Sequence, residues 1–172
     1  LYFTYWSAGP QVNEPTQTVQ LTSGNSGNHI SSFEFVDPDN IIFSWTSHSW
    51  TSGYDYDISL GLYSIENETF SNYTLNNFTN DHQTDAKLVQ LNASLYLVAW
   101  TSAGQDGQYS GVFYNLVDIS GAQILETEGQ LNSNWRGSQY KIEVIETNDG
   151  ATAIWYDVDL DKFVAQKFSS NG

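Results

Sequence analysis

The sequence predicts an all-β chain of antiparallel strands, and three observations carry that prediction. Tryptophan returns on a fixed interval, with Trp45, Trp100 and Trp155 standing 55 residues apart. Each closes a short apolar run, at 41–45, 96–100 and 151–155, and the runs are flanked by residues that accept turn conformations. Apolar positions nowhere recur with a helical period, so alternation has no competitor. A fourth copy opens the chain, because Leu1-Tyr2-Phe3-Thr4-Tyr5-Trp6 parallels Leu95-Tyr96-Leu97-Val98-Ala99-Trp100. Self-similarity at this spacing marks an array of repeated supersecondary units.

The opening copy holds a second strand ending at Trp6 and a fourth strand at 18–21, with no third strand between them. The later units read as up to four strands each. The first strand is 33–36, with copies at 87–91 and 141–145. Turns follow at Asp37-Pro38-Asp39-Asn40, Asn92-Ala93-Ser94 and Thr147-Asn148-Asp149-Gly150. The second strand is the Trp-closed run. It is apolar on both faces, which predicts cover above and below rather than one wet face. The third is 58–65, 111–117 and 162–168, each copy ending in turn signals. The fourth, 70–75 and 124–131, is more polar, as a peripheral strand can be.

Four antiparallel strands in about 40 to 55 residues is the size of a propeller blade. The expected architecture is therefore β-propeller-like, an incomplete or open array of four-stranded blades repeated at about 55 residues. Its divisions are a partial repeat at 1–29, repeats at 30–84 and 85–139, and a partial third repeat at 140–172, all in one continuous β body. Trp6, Trp45, Trp100 and Trp155 form the repeat core. A closed propeller needs about 4–8 blades. The expectation is thus either a window from a longer ring or an open array whose ends meet head to tail.

Composition narrows the function. With 5 Lys+Arg against 20 Asp+Glu, the formal charge is −15, which disfavours nucleic acid and anionic membrane surfaces. No apolar run approaches the roughly 20 residues that span a bilayer, so membrane insertion is not expected. Aromatics make up 15% of the chain, too many for a disordered segment. The absence of Cys leaves the redox compartment open, and an array of this size needs no disulfide staple.

One stretch carries a fuller pattern. Trp100-Thr101-Ser102-Ala103-Gly104-Gln105-Asp106-Gly107 is followed by Gly111-Val112-Phe113, Asp118-Ile119-Ser120-Gly121 and Leu131-Asn132. It resembles a tandem repeat of large secreted and surface proteins, written W-x-S-x-G-Q-D-G, then G-V and an aromatic, then D-x-x-G and a closing apolar-Asn pair. The match is complete in one copy. Trp45-Thr46-Ser47 keeps only the start, and Trp155-Tyr156-Asp157 loses the Ser and the Gly-Gln. The resemblance implies an extracellular or cell-surface repeat, propeller-like or adhesin-like, with no catalytic residues to carry over.

The candidate sites are few. Asn-x-Ser/Thr sequons at Asn67, Asn72, Asn77 and Asn92 fall in turns, a loop and a polar strand, where N-linked glycans can point into solvent. Asp157, Asp159 and Asp161 alternate as ligands for Ca²⁺ would, but Lys162 follows where a calcium loop wants glycine; a solvated hairpin edge is the competing reading. Trp50 and Trp135 stand outside the repeat register and are candidate stacking platforms for carbohydrate, against the plainer alternative of packing. His29 and His82 occupy nearly equivalent repeat positions, as inherited structural residues do, and no nucleophile, base and orienting group are signalled together. The sequence thus points to a non-enzymatic structural or adhesive segment of an extracellular glycoprotein. Its partners would be neighbouring repeats or identical chains; a carbohydrate-binding module is the alternative, and a glycosidase-like propeller ranks below both.

Overall fold

The computed structural model describes residues 2–5, 17–20, 28–49, 55–120, 123–124 and 128–172. Among them every regular element is a strand, and all strand pairings are antiparallel. Strands β1 (Tyr2–Tyr5) and β2 (Gln17–Gln20) form a two-stranded ribbon. The first sheet is the meander β3 (His29–Asp37), β4 (Asn40–Ser49), β5 (Asp55–Ser64) and β6 (Thr69–Thr74). The second orders β7 (Gln83–Gln90), β8 (Leu95–Ala103) and β9 (Ser110–Asp118), with β10 (Gln123–Ile124) and β11 (Gly129–Gln130) both on the outer edge of β9. The third is β12 (Gln139–Thr147), β13 (Gly150–Asp157) and β14 (Lys162–Ser169).

Short-range chemistry closes the hairpins. The Asp37 carboxylate accepts the Asp39 N–H at 2.8 Å, and the Asn92 side chain accepts the N–H groups of Ser94 and Leu95, each at 3.1 Å. Asp118 takes the Ser120 N–H in the same way. Each side chain mimics a turn's backbone bond, which is why these residues mark the reversals.

The three sheets stack in chain order. One apolar core lies between the first and second, joining Ile42, Ile58 and Leu60 to Tyr96, Val98 and Trp100. A second lies between the second and third, joining Leu97, Ala99, Val112 and Leu116 to Ala151, Ala153 and Trp155. Strand β8 serves both cores and is buried from Leu95 to Ser102, as expected of an apolar run with two covered faces. A third cluster of Ile41, Phe43, Trp45 and Tyr63 lies on the opposite face of the first sheet.

Orientation repeats along with spacing. Trp100 faces the first sheet and Trp155 faces the second, so in both interfaces the Trp side looks toward the preceding unit. Trp45 faces the corresponding side of the first sheet. Burying a side chain of this size contributes roughly 1.5–3 kcal/mol, so each Trp anchors its interface. A register shift sits opposite each one: Ile30 and Ser31 near Trp45, Asp85 and Ala86 opposite Trp100, Lys141 and Ile142 opposite Trp155. Asp85 and Lys141 both have φ of 57°, the left-handed conformation that lets the extra residue turn out of the ladder.

Some boundaries differ from the sequence expectation. The Trp does not end its strand, since β4, β8 and β13 run on to Ser49, Ala103 and Asp157. The first strands begin earlier than their apolar runs, at His29, Gln83 and Gln139, because the bulge breaks alternation within them. Of the fourth strand expected at 124–131 in the second unit, Ile124 lies in β10 and Gly129–Gln130 form β11, while 125–127 lie outside the described residues. Trp6 and Trp50 lie outside the described residues.

Candidate functional site

Between successive sheets the chain makes the same polar clasp twice. At the first junction the Asn76 Oδ1 accepts the Ile58 N–H at 2.7 Å. Its Nδ2 is shared among Asp57 Oδ1 at 2.7 Å, the Phe78 carbonyl at 2.9 Å and Gln83 Oε1 at 3.4 Å. Gln83 in turn donates to the Asn80 carbonyl at 2.9 Å and to Ser102 Oγ at 3.4 Å. At the second junction Asn132 Oδ1 accepts the Val112 N–H at 2.9 Å, and its Nδ2 donates to the Asn134 carbonyl and Gln139 Oε1, both at 2.9 Å. Asp106 Oδ2 stands 3.3 Å from the same nitrogen, and Gln139 donates to the Arg136 carbonyl at 2.8 Å.

The backbone repeats too. Leu75 and Leu131 donate to the carbonyls of Ile58 and Val112, so each Asn extends the ladder by one side-chain rung. Two residues before each Gln the chain turns left-handed, at Asp81 (φ 59°) and Gly137 (φ 70°). All four amide side chains are buried, Gln83 and Gln139 to 0% exposure. A buried amide is tolerated only when its groups are bonded, and here the network joins the last strand of one unit to the first strand of the next. Sequence reasoning noticed the Leu131-Asn132 pair and missed its Gln partner. The signal was present as one spacing used twice, Leu75-Asn76 to Gln83 and Leu131-Asn132 to Gln139.

The acidic loop after β13 is built into this frame. Asp157 is buried and accepts hydrogen bonds from the Asn134 side chain and the Leu160 N–H. Asp159 lies 3.4 Å from the same Asn134 nitrogen. Asp161 instead accepts the Tyr156 hydroxyl, a bond that raises the Tyr156 pKa. Asp157 and Asp159 thus share the Asn134 amide while Asp161 turns to Tyr156, and among the described residues no three His, Cys, Asp or Glu side chains converge as a metal site would require.

The other candidates sit on the surface. Asn67, Asn72, Asn77 and Asn92 are all exposed. Asn92 also holds its turn and donates to the Ser170 carbonyl at 2.6 Å, and Asn77 presents its N–H to Glu128 at 2.6 Å. Trp135 is 51% exposed, with the Arg136 guanidinium 5.9 Å from its ring centre. His29 pairs with Thr46 within β3 and β4, whereas His82 lies just before β7 against Tyr56, so the two stand two places apart in strand register.

The bulges open two grooves. One of about 370 Å³ lies between the first and second sheets, where His29, Tyr56, Thr84 and Asp85 meet. The other, about 410 Å³, runs from Asp85 and Lys87 of the second sheet across β12 at Lys141 and Glu143 to Phe163 of β14. Lys87 and Glu143 form a 3.1 Å ion pair across that junction. Half-buried Glu34 reaches from β3 to accept the Gln90 N–H at 3.2 Å; burial raises its pKa, the bond opposes the shift and the charge of Glu146 adds to it. Tyr96 beneath is pushed up to about 12 by burial and by the charges of Glu34 and Asp37.

No protein-family model matches the chain, and no curated protein matches it closely enough to count as a relative.

Proposed function

We propose that this chain is a non-enzymatic structural or adhesive repeat segment of an extracellular, N-glycosylated protein, whose units pack as propeller-like blades and join others head to tail. The observation that carries the reading is the duplicated junction: one Asn/Gln clasp, one bulge and one inward Trp at each of two successive interfaces. A chain that spends its buried polar groups on joining units is organised for a rigid array. The four exposed sequons and the strong negative charge suit a solvated outer surface.

Secretion from a eukaryotic host tests the extracellular part. Mass spectrometry before and after enzymatic deglycosylation is expected to show glycan on Asn67, Asn72 or Asn77, and unmodified sequons throughout would overturn it. Asn92, whose amide holds both its turn and Ser170, is expected to carry the least. The exposed Trp135 with its stacked Arg136 supports a second reading, a carbohydrate-binding module. A glycan array on which the wild type binds and Trp135→Ala does not would favour it; a blank array for both would retire it.

A further inference from the structure

We infer that the groove between the first and second sheets binds a neutral sugar residue, held by Tyr56, Asp85 and the hydroxyls around them. The site is separate from Trp135 and independent of the assembly proposed above.

The internal repeat supplies the control. At the first junction Tyr56 and His82 make a parallel bridge, and at the second Ser110 and Ser138 make one in the same place. Register extends the equivalence, because His48 pairs with Tyr56 across β4 and β5 as Ala103 pairs with Ser110 across β8 and β9. Two imidazoles and a phenol thus stand where the second junction has an alanine and two serines. The Tyr56 ring centre lies 5.1 Å from that of His48 and 4.9 Å from that of His82. The second junction keeps the clasp, the bulge and the bridge, so the stack closes without these rings. What one copy of a scaffold carries and its neighbour omits serves something other than the shared packing.

The bulge of β7 completes the wall. Asp85 and Lys141 occupy the same bulge position in successive units, both with φ of 57°, so one left-handed kink offers a carboxylate in the second unit and an ammonium in the third. Bulges re-aim side chains in this way beside ligand sites. Around Asp85 the groove gathers the imidazole of His29 and the hydroxyls of Ser31, Thr46 and Thr84. None of these side chains makes a hydrogen bond with another described residue, whereas the amides of the adjoining clasp are bonded.

The chemistry of that set selects the ligand class. An anion only accepts and an ammonium only donates, but hydroxyls, an imidazole and a carboxylate together offer both. Lys87 also lines the groove, with its charge engaged by Glu143 at 3.1 Å, and the carboxylate of Asp85 opposes an anion. A vicinal diol donates to that carboxylate and exchanges bonds with hydroxyls in either direction. Half-buried Tyr56 supplies an aromatic surface for the C–H face of a pyranose, with its polar tip left for water or a hydroxyl. About 370 Å³ stands at the small end of the roughly 300–1,000 Å³ of ligand clefts, which suits a single sugar residue.

Amide chemical-shift mapping on the unglycosylated, isotope-labelled full chain tests the site. The probes are methyl glycosides of neutral hexoses, deoxyhexoses and N-acetylhexosamines, with inorganic phosphate and methylammonium as charged controls. At least one glycoside is expected to shift the amides of Ser31, Tyr56, Thr84 and Asp85 saturably while those of Ser110 and Ser138 stay still, and neither control should do so. Asp85→Asn suits the left-handed backbone, which asparagine adopts readily, and Tyr56→Leu keeps apolar bulk. Each should weaken the glycoside by at least about tenfold with the folded circular-dichroism spectrum retained. Thr84→Val exchanges a hydroxyl for a methyl group and supplies a further reading should the aromatic variant lose its fold; it too should weaken binding. Trp135→Ala should leave the affinity unchanged.

The absence of a saturable shift with any glycoside would overturn the inference, as would an affinity that Asp85→Asn leaves intact or that Trp135→Ala removes. Shifts at the groove from phosphate or methylammonium alone would overturn the ligand class and assign the groove to a charged molecule. The titration does not read association or glycan occupancy, so its failure leaves the proposed assembly standing.

Discussion

The Asn132 amide shows how much one side chain settles here. Its oxygen caps the Val112 N–H, while its nitrogen serves Asn134 and Gln139 and lies against the Asp106 carboxylate. Asn132→Asp keeps the shape and the acceptor but removes the donor and sets a second negative charge beside Asp106. An uncompensated buried charge costs about 3 kcal/mol or more, so the urea midpoint should fall far more than for an exposed control such as Asn148→Asp; equal midpoints would show that the clasp holds nothing. Glu34 gives a pH test. Its folded pKa lies above the ordinary 4.5, so the folded state binds the proton more tightly than the unfolded state does. Stability from this group is full below 4.5 and is lost as pH rises through the raised value. Glu34→Gln, which retains an acceptor for Gln90, is expected to be more stable than wild type at pH 7 and no better at pH 4.5, read from denaturant midpoints. Identical pH profiles would refute it. Of these residues the sequence marked Asp106, Val112 and Asn132 through the repeat pattern; Gln139 was legible only in the spacing it shares with Asn76 and Gln83, and the half-buried carboxylate of Glu34 left no signal, because its burial is decided by sheet packing.

At the scale of elements, turns and Trp strands were legible and bulges were not. Asp37, Asn92 and Asp118 bond their own backbone two or three residues on, a local event that local sequence records. A bulge is a two-strand event. Nothing in 83–87 alone says that Asp85 and Ala86 will both oppose Trp100, so alternation counted from Leu88 stops short of the true start of the strand. The β12–β13 hairpin tests the turn chemistry. Gly150 has φ of 144°, and a Cβ there would lie 2.2 Å from the Phe168 carbonyl of the neighbouring strand. Gly150→Ala should cost about 3 kcal/mol or more, since backbone cannot step aside as a side chain can. Gly107→Ala is the control: its φ of 85° is also left-handed, but a Cβ there meets nothing within 4 Å, so only about 1 kcal/mol of conformational strain applies. Thermal melts of the two variants should separate clearly, and equal losses would assign the effect to φ alone.

For the whole molecule the stack order determines where stability resides. The Trp ruler announced repeated units but not which neighbour each Trp faces, because both faces of its strand are apolar and direction is settled only when sheets pack. Once packed, the units are unequal. The second sheet is covered on both sides, and the third has one bare face and an outer strand, β14, that is exposed at six of its eight residues. In a stacked array each unit draws its stability from its neighbours, so opening should begin where a neighbour is missing. Amide hydrogen exchange by mass spectrometry should therefore find β8 slowest, exchanging only through global unfolding, and β14 fastest among the described strands of the three sheets. Phe168→Ala, which removes a buried ring from the interface of the second and third sheets, adds a direction to the test. The cavity costs about 3 kcal/mol. It should speed exchange through β12, β13 and β14 while β4 and β5, whose core lies one interface away, keep most of their protection. Exchange that rises uniformly across all three sheets would mean that the stack unfolds as one cooperative unit.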